Sequence, residues 1–271
     1  MDLKLQNKTA IVTGASEGVG KVIALSLANE GCNVIICSRD KDKLIKATNE
    51  IKKNCKNKKS QISFGVVDVT EAKSIDSFFS SLPKKFKLDI LVNNAGGTRD
   101  RFAFFEDLND EQWQDSFNFN LMSAVRFVRH SLPLLKNSTS GRIINTGTPP
   151  ARQPGASNPD YISMKAALIN LNKYLSNSVA KYNITVNAVC PGSLTGSPWE
   201  RSIKDRSDRS GITLEEAEKI ILKEFSAKVP MGRLATPEDI ANLVTFLASP
   251  LAEYITGTCI AVDGGLTKSA F

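Results

Sequence analysis

The stretch that decides the fold is Lys8-Thr9-Ala10-Ile11-Val12-Thr13, running directly into Gly14-Ala15-Ser16-Glu17-Gly18-Val19-Gly20. The first six residues read as a short buried strand, and the glycine-rich turn after them opens a helical pattern over 18–30. Glycine allows a sharp turn and close backbone approach, and a helix N-terminus offers free N–H groups and positive potential. Between the first strand and first helix of a βαβ unit, such a turn is where a dinucleotide pyrophosphate rests. The spacing here is G-x-x-x-G-x-G, not the G-x-G-x-x-G fingerprint. Gly14, Ser16, Glu17, Gly18, Val19 and Gly20 are the candidate contacts.

Outward from this turn the same alternation continues. Near-continuous apolar runs at 33–38, 62–67, 88–93, 142–147, 184–190 and 258–263 predict strands buried on both faces of a parallel sheet. Helical patterns fall between them at 40–56, 71–82, 110–136, 158–181 and 237–249, with Asp40, Thr70, Asn109 and Thr236 as expected N-caps. The expectation is one Rossmann-type, doubly wound α/β domain over residues 1–271. A polar insertion at about 193–233, with one helix-like piece at 213–226, has the position of a substrate lid.

Composition narrows the chemistry. Of 271 residues, 35 are Lys or Arg and 28 Asp or Glu, a net charge of +7, and only one is histidine, His130. A multi-histidine metal centre is thereby excluded, no metal site is expected, and a Ser-His hydrolase would have to rely on His130 alone. His130 sits late in its helical pattern and reads as a packing or dipole residue. The five cysteines, Cys32, Cys37, Cys55, Cys190 and Cys259, form no Cys-x-x-Cys pair and read as free thiols. With no signal-peptide-like apolar segment and no membrane-length run, a cytoplasmic protein is expected, without nucleic-acid or membrane partners. Five lysines in 51–60 read as a solvated loop at the strand N-terminal edge of the sheet, away from the edge where ligands bind.

Three further features fall at carboxyl ends of strands or on the adjoining helix. They are Asn93-Asn94-Ala95-Gly96, Tyr161-x-x-x-Lys165 and Pro191-Gly192. A tyrosine and a lysine four apart share one helix face. Together with the glycine turn, and in this order, these motifs make the chain resemble the short-chain dehydrogenase/reductase family from Lys8 to the closing Val262-Asp263-Gly264-Gly265. The resemblance implies a seven-stranded parallel sheet in the order 3-2-1-4-5-6-7 and a homo-oligomer, tetramer or dimer. It also implies hydride transfer between a nicotinamide cofactor and a small-molecule carbonyl or alcohol. By the same resemblance Tyr161 is the acid/base, Lys165 its partner and ribose ligand, and Asn120 the holder of a water relay. Asp68 and Val69 would contact adenine, and Asn93, Ala95 and Gly96 would line the cofactor cleft. Pro191, Gly192, Leu194 and Thr195, after the sixth strand, join the cofactor-binding set. Chemistry agrees: a phenol of pKa ≈ 10 needs a nearby cation to work near neutrality, and Lys165 can supply one.

The chain departs from the family where a catalytic serine usually stands thirteen residues before the tyrosine. Thr148 occupies that position; it keeps the hydroxyl donor and adds a methyl group. At the end of the second strand, Ser38 and Arg39 replace the acidic residue that binds an NAD ribose, favouring the 2′-phosphate of NADP(H) and leaving NAD(H) open. Glu17 weighs against this, because many NADP-using relatives have a basic residue there. The expected reaction is reduction of a ketone, first of all a 3-oxoacyl thioester, the basic chain suiting an acidic acyl carrier protein. Arginines that often hold that carrier in bacterial ketoacyl reductases are replaced by Thr139 and Tyr182, with Lys136 and Lys181 nearby. A polyol, sugar-alcohol or hydroxysteroid dehydrogenase is the alternative, and an NADP(H)-sensing protein without turnover the alternative of another class. Trp199, Ile203, Leu222 and Phe225 are the apolar residues with which the lid would meet a substrate or the body.

Overall fold

The computed structural model describes residues 2–99, 101–194 and 197–269, with only the backbone of residues 197–199, 201 and 202. Seven parallel strands form one sheet: β1 (Thr9–Thr13), β2 (Asn33–Ser38), β3 (Ile62–Val66), β4 (Ile90–Asn93), β5 (Gly141–Thr146), β6 (Ile184–Pro191) and β7 (Cys259–Val262). Their order is β3-β2-β1-β4-β5-β6-β7, so the winding reverses between β1 and β4. That reversal opens a crevice at the carboxyl ends of the two strands, where the glycine turn and Asn93–Gly96 both lie.

Alternation along β1 sorts the two core layers. Ala10 and Val12 pack under α1 (Gly18–Asn29), α2 (Lys41–Asn54) and α9 (Pro237–Ala248), with Ile23, Leu27, Leu44, Val244 and Leu247. Ile11 faces the other layer, with Ile75 and Phe78 of α3 (Ala72–Ser81) and Phe127 of α5 (Ser123–Leu135). Each such fully buried aliphatic or aromatic side chain contributes about 1.5–3 kcal/mol. α6 (Pro159–Val179) packs on that second layer through Val179. Side-chain caps start α2 (Asp40), α4 (Asp110–Phe117; Asn109), α8 (Leu214–Ser226; Thr213) and α9 (Thr236).

Four sequence expectations are corrected by the fold. β3 is an edge strand with Phe64 and Val66 exposed, so it is not buried on both faces. Thr70 does not cap α3; Glu71 takes the N-cap position, and the Thr70 hydroxyl donates to Asp68 (2.6 Å). The pattern at 110–136 is not one helix: α4 and α5 are separated by a π-helical turn at Asn118–Met122. The insertion holds two helices, α7 (Ser197–Ser210) and α8. The charged sequence of α7 hides its apolar side, where Ile203 packs with Ala217, Ile221 and Leu234 in a small core of the insertion's own. Leu222 and Phe225 are exposed, and the side chain of Trp199 lies outside the described residues.

A buried asparagine ladder ties the centre of the sheet to α6. Asn93 Nδ2 donates to Asn145 Oδ1 (2.8 Å), Asn145 Nδ2 to Asn172 Oδ1 (3.0 Å), and Asn172 Nδ2 to the Thr258 carbonyl (3.3 Å). Substituting the middle rung, Asn145→Ala, strands one buried donor and one buried acceptor. The expected loss is about 2–4 kcal/mol in urea unfolding with an unchanged m-value.

Candidate active site

The glycine turn is shaped by its neighbours across the crevice. Gly14 has φ +63°, and a Cβ there would lie 2.8 Å from Ala95 Cα; at Gly20 a Cβ would lie 2.5 Å from Asn94 Nδ2. Asn94 Nδ2 donates to the carbonyls of Thr13 and Gly14, both at 3.0 Å. The Thr13 hydroxyl accepts the Asn94 and Ala95 amides, each at 3.0 Å. These bonds fasten the turn to the end of β4. Glu17 stands at the N-cap of α1 but its side chain makes no cap hydrogen bond, so the first N–H groups of the helix have no side-chain partner.

The cleft, about 240 Å³, is lined by Gly14, Ser16, Glu17, Ser38, Arg39, Asp68, Val69, Ala95 and Gly96 from the sequence expectation. Val67, Thr70, Asn94, Arg99 and Phe119 line it as well and were not expected. Ser16 and Ser38 hydroxyls lie 3.1 Å apart, and Arg39 is exposed, with no ion-pair partner among the described residues. Glu17 is held by Lys43 at 3.0 Å. That contact answers the objection from its charge, because α2 supplies the cation the turn lacks. Burial alone would raise the Asp68 carboxyl, but Thr70 hydrogen bonds and the charges of Arg39 and Arg99 hold it below the ordinary range. Asp40 does not compete as a ribose ligand, since its carboxylate accepts the Lys43 amide (3.0 Å) and caps α2.

Not every expected residue reaches this cleft. Asn93 is a correction: it is 3% exposed and serves as the outer rung of the ladder, while Asn94 takes its place at the surface. Gly18, Val19 and Gly20 begin α1 and support the turn without lining the cleft. Pro191 ends β6 beside Val262 of β7, and Gly192 and Leu194 follow toward the insertion: the Gly192 amide donates to the Val262 carbonyl, and Leu194 bridges to Ala235. Thr195 lies outside the described residues.

Beyond Gly96 the four expected catalytic residues converge. A Cβ at Gly96 would stand 2.7 Å from Lys165 Nζ and 3.0 Å from Asn120 Oδ1, so the missing side chain leaves that space free. Asn120, in the π-turn, accepts the Gly97 amide (2.8 Å) and donates to the Gly97 carbonyl (3.1 Å), pinning the loop. Thr148, buried after β5, lies within hydrogen-bonding reach of the half-buried Tyr161. Burial raises the phenol above its ordinary value, and the Thr148 contact offsets part of that. Lys165 is 2% exposed, and Nζ donates to the Thr146 carbonyl at 2.7 Å. Burial lowers its pKa from 10.5 to about 8. The expected lowering of the phenol by Lys165 is not what governs Tyr161 in the free protein; burial is. His130 lies apart, paired with Asp76 (2.8 Å) and stacked on Phe79. Among the described residues no cluster of three His, Cys, Asp or Glu could hold a metal, and no helix is long and apolar enough to cross a membrane.

This fold and constellation define a nucleotide-cleft α/β protein with a Tyr–Lys–Thr–Asn centre, and comparison gives its family. A family model described as enoyl-(acyl carrier protein) reductase matches residues 14–267. The 3-oxoacyl-[acyl-carrier-protein] reductase FabG of Aquifex aeolicus is 33% identical over 268 residues, 98% of this chain and 100% of that protein. The structure of L-sorbose reductase from Gluconobacter frateurii, complexed with NADPH and L-sorbose, superposes with a TM-score of 0.92 at 32% identity, covering 99% of this chain and 100% of that one. An actinorhodin polyketide ketoreductase structure with NADPH gives 0.86 at 28% identity over 97% and 98%. The chain belongs to the short-chain dehydrogenase/reductase family of oxidoreductases.

The buried lysine makes a stability prediction. The folded chain holds the Lys165 proton less tightly than the unfolded chain, so the charge costs stability below about pH 8, and the cost fades as pH rises toward 10.5. Lys165→Met is therefore expected to be more stable than wild type at pH 7, by on the order of 2–3 kcal/mol. Urea unfolding should show the gap closing by about pH 10.5; a gap independent of pH would count against a buried charged lysine.

Proposed function

We propose that the chain is an NADP(H)-dependent reductase that converts a ketone to a secondary alcohol. The observation that carries this reading is the meeting of a cleft and a polar centre at Gly96. Arg39 and the hydroxyls of Ser16 and Ser38 line the cleft, Lys165 and Asn120 stand against Gly96, and Thr148 lies within reach of Tyr161. The residues fit the dinucleotide. Ser16, Ser38 and Arg39 would hold a 2′-phosphate, the uncapped start of α1 a pyrophosphate, Asp68 and Val69 the adenine, and Lys165 a ribose. When bound, NADPH supplies the hydride for the carbonyl carbon.

The chain's own groups supply the proton. A phenol raised by burial stays protonated at neutral pH, which suits donation to the carbonyl oxygen. The Thr148 hydroxyl polarises that oxygen and afterwards helps hold the tyrosinate. Lys165, charged below about pH 8, favours the anion left on Tyr161. Asn120 fixes Gly96–Gly97 beside Lys165 and would hold a water for reprotonation.

A 3-oxoacyl thioester is the first substrate class, supported by similarity to FabG along nearly the whole chain. A polyhydroxy ketone is the second, supported by the fold agreement with L-sorbose reductase. A nucleotide sensor without turnover has less support, because all four candidate catalytic groups are present. The test is NADPH oxidation across 3-oxoacyl thioesters, keto-sugars, steroids and quinones. Turnover with a thioester upholds the first class, turnover with a keto-sugar alone the second, and binding without turnover overturns the enzyme reading. In that assay Thr148→Ser keeps or raises kcat, and Thr148→Ala lowers it by roughly 10²-fold. Arg39→Asp is expected to shift the NADPH-to-NADH ratio of kcat/KM toward NADH by at least about tenfold. An unchanged ratio would remove Arg39 from the phosphate site.

A further inference from the structure

Two cysteines that are 69 residues apart in sequence meet behind the candidate active site, with Sγ atoms 3.1 Å apart: Cys190 of β6 and Cys259 of β7. The register pairs Ala188 with Cys259 and Cys190 with Ala261. Paired residues of parallel strands share a face, and so do residues two apart, which puts both thiols on one side of the sheet. Their surroundings differ. Cys190 is 1% exposed, and a Cβ at Gly147, the residue before Thr148, would lie 2.6 Å from its sulfur. Cys259 is half-exposed on the edge strand, and Arg152 donates to its carbonyl (3.5 Å).

We propose that Cys190 and Cys259 are an oxidation site, converted by a hydroperoxide into a disulfide that disables the adjoining catalytic centre. The inference about activity rests on the reductase reading; the bond itself does not. Accessible Cys259 is the attacking group, and the Cys190 hydrogen bond and the Arg152 charge favour its thiolate. Its sulfur attacks one peroxide oxygen: the S–O bond forms, the O–O bond breaks, and the departing oxygen takes a proton to leave as water or alcohol. The Cys190 sulfur then attacks Cys259: S–S forms, S–O breaks, and the Cys190 proton leaves with the hydroxide as water. The two thiols lose two electrons, and the peroxide gains them.

Geometry gives the consequence. A disulfide bond of about 2 Å requires the sulfurs to close by about 1 Å along a diagonal between strands. The movement draws Cys190 from its seat against Gly147 and shifts the backbone that presents Thr148. The other three thiols serve as internal controls. Cys32, Cys37 and Cys55 are buried, and burial pushes Cys32 up to about 12, so none should react at a comparable rate.

The experiment treats the purified protein with hydrogen peroxide, quenches in acid and alkylator, and maps the peptides without reduction. Expected are a mass loss of two hydrogens, a peptide linking Cys190 to Cys259, and a fall in ketone reduction of at least about tenfold that dithiothreitol reverses. Cys259→Ser should keep basal activity and resist peroxide; Cys190→Ser should stop at a Cys259 sulfenic acid that dimedone traps. Failure to find the linked peptide, or equal inactivation of Cys259→Ser, overturns the proposal. Peptide mapping needs no turnover, so a linked pair in a protein that oxidises no NADPH would overturn the reductase reading and leave the oxidation site standing.

Discussion

Everything at the site depends on how closely the first turn can approach the end of β4. The Thr13 hydroxyl accepts two amides from the opposite loop, and the Asn94 side chain returns two bonds to the turn. Gly14 and Gly20 permit this because a side chain at either would collide with the Asn94–Ala95 segment. The crevice at the reversal of strand order is therefore a bonded seam of fixed width. Its fixed width lets Gly14 and Ser16 of the turn and the surface of Gly96 face the same space.

Further along that seam, stability and chemistry pull against each other. A lysine buried to 2% exposure would be more comfortable neutral, and its ammonium leans on the Thr146 carbonyl. The adjacent phenol is likewise pushed toward its neutral form. In the free protein, then, the phenol holds its proton more tightly and the ammonium less tightly than a Tyr–Lys pair in water would. A proton donor that holds its proton beside a weakly held cation suits reduction, where a proton must be available first and the resulting anion stabilised second.

Most of the fold was legible because its signals are local. Apolar runs separated by helical patterns set the strand count, and the motifs fell at carboxyl ends as expected. Long-range contacts were not legible. Nothing in Asn118–Met122 distinguishes a π-turn from an ordinary helix; its extra residue is visible only once the Asn120 clasp on Gly97 is seen. Asn93 and Asn94 are identical in type, and strand alternation alone decides which is buried beneath the sheet's end and which faces the cleft. Lys43 was likewise unreadable as a partner for Glu17, because the helix carrying it is placed by β2 rather than by the turn. Cys190 and Cys259 met only through the pairing of β6 with β7.

The basic charge of the chain also has to be read by position. The lysine-rich stretch at 51–60, the last turn of α2 and the loop after it, is anchored to the far pole, where the Lys56 amide donates to Asn29 and Asn57 Nδ2 to Gln6. Arg39 stands past the opposite end of β2, a strand of six residues. Six residues span roughly 20 Å, about two Debye lengths at physiological salt. Those lysines therefore contribute little potential where a cofactor phosphate would sit. Removing several of them should matter less to the cleft than the charges that line it: with Lys43 holding Glu17, Arg39, Arg99 and Asp68 are the local charges at that end.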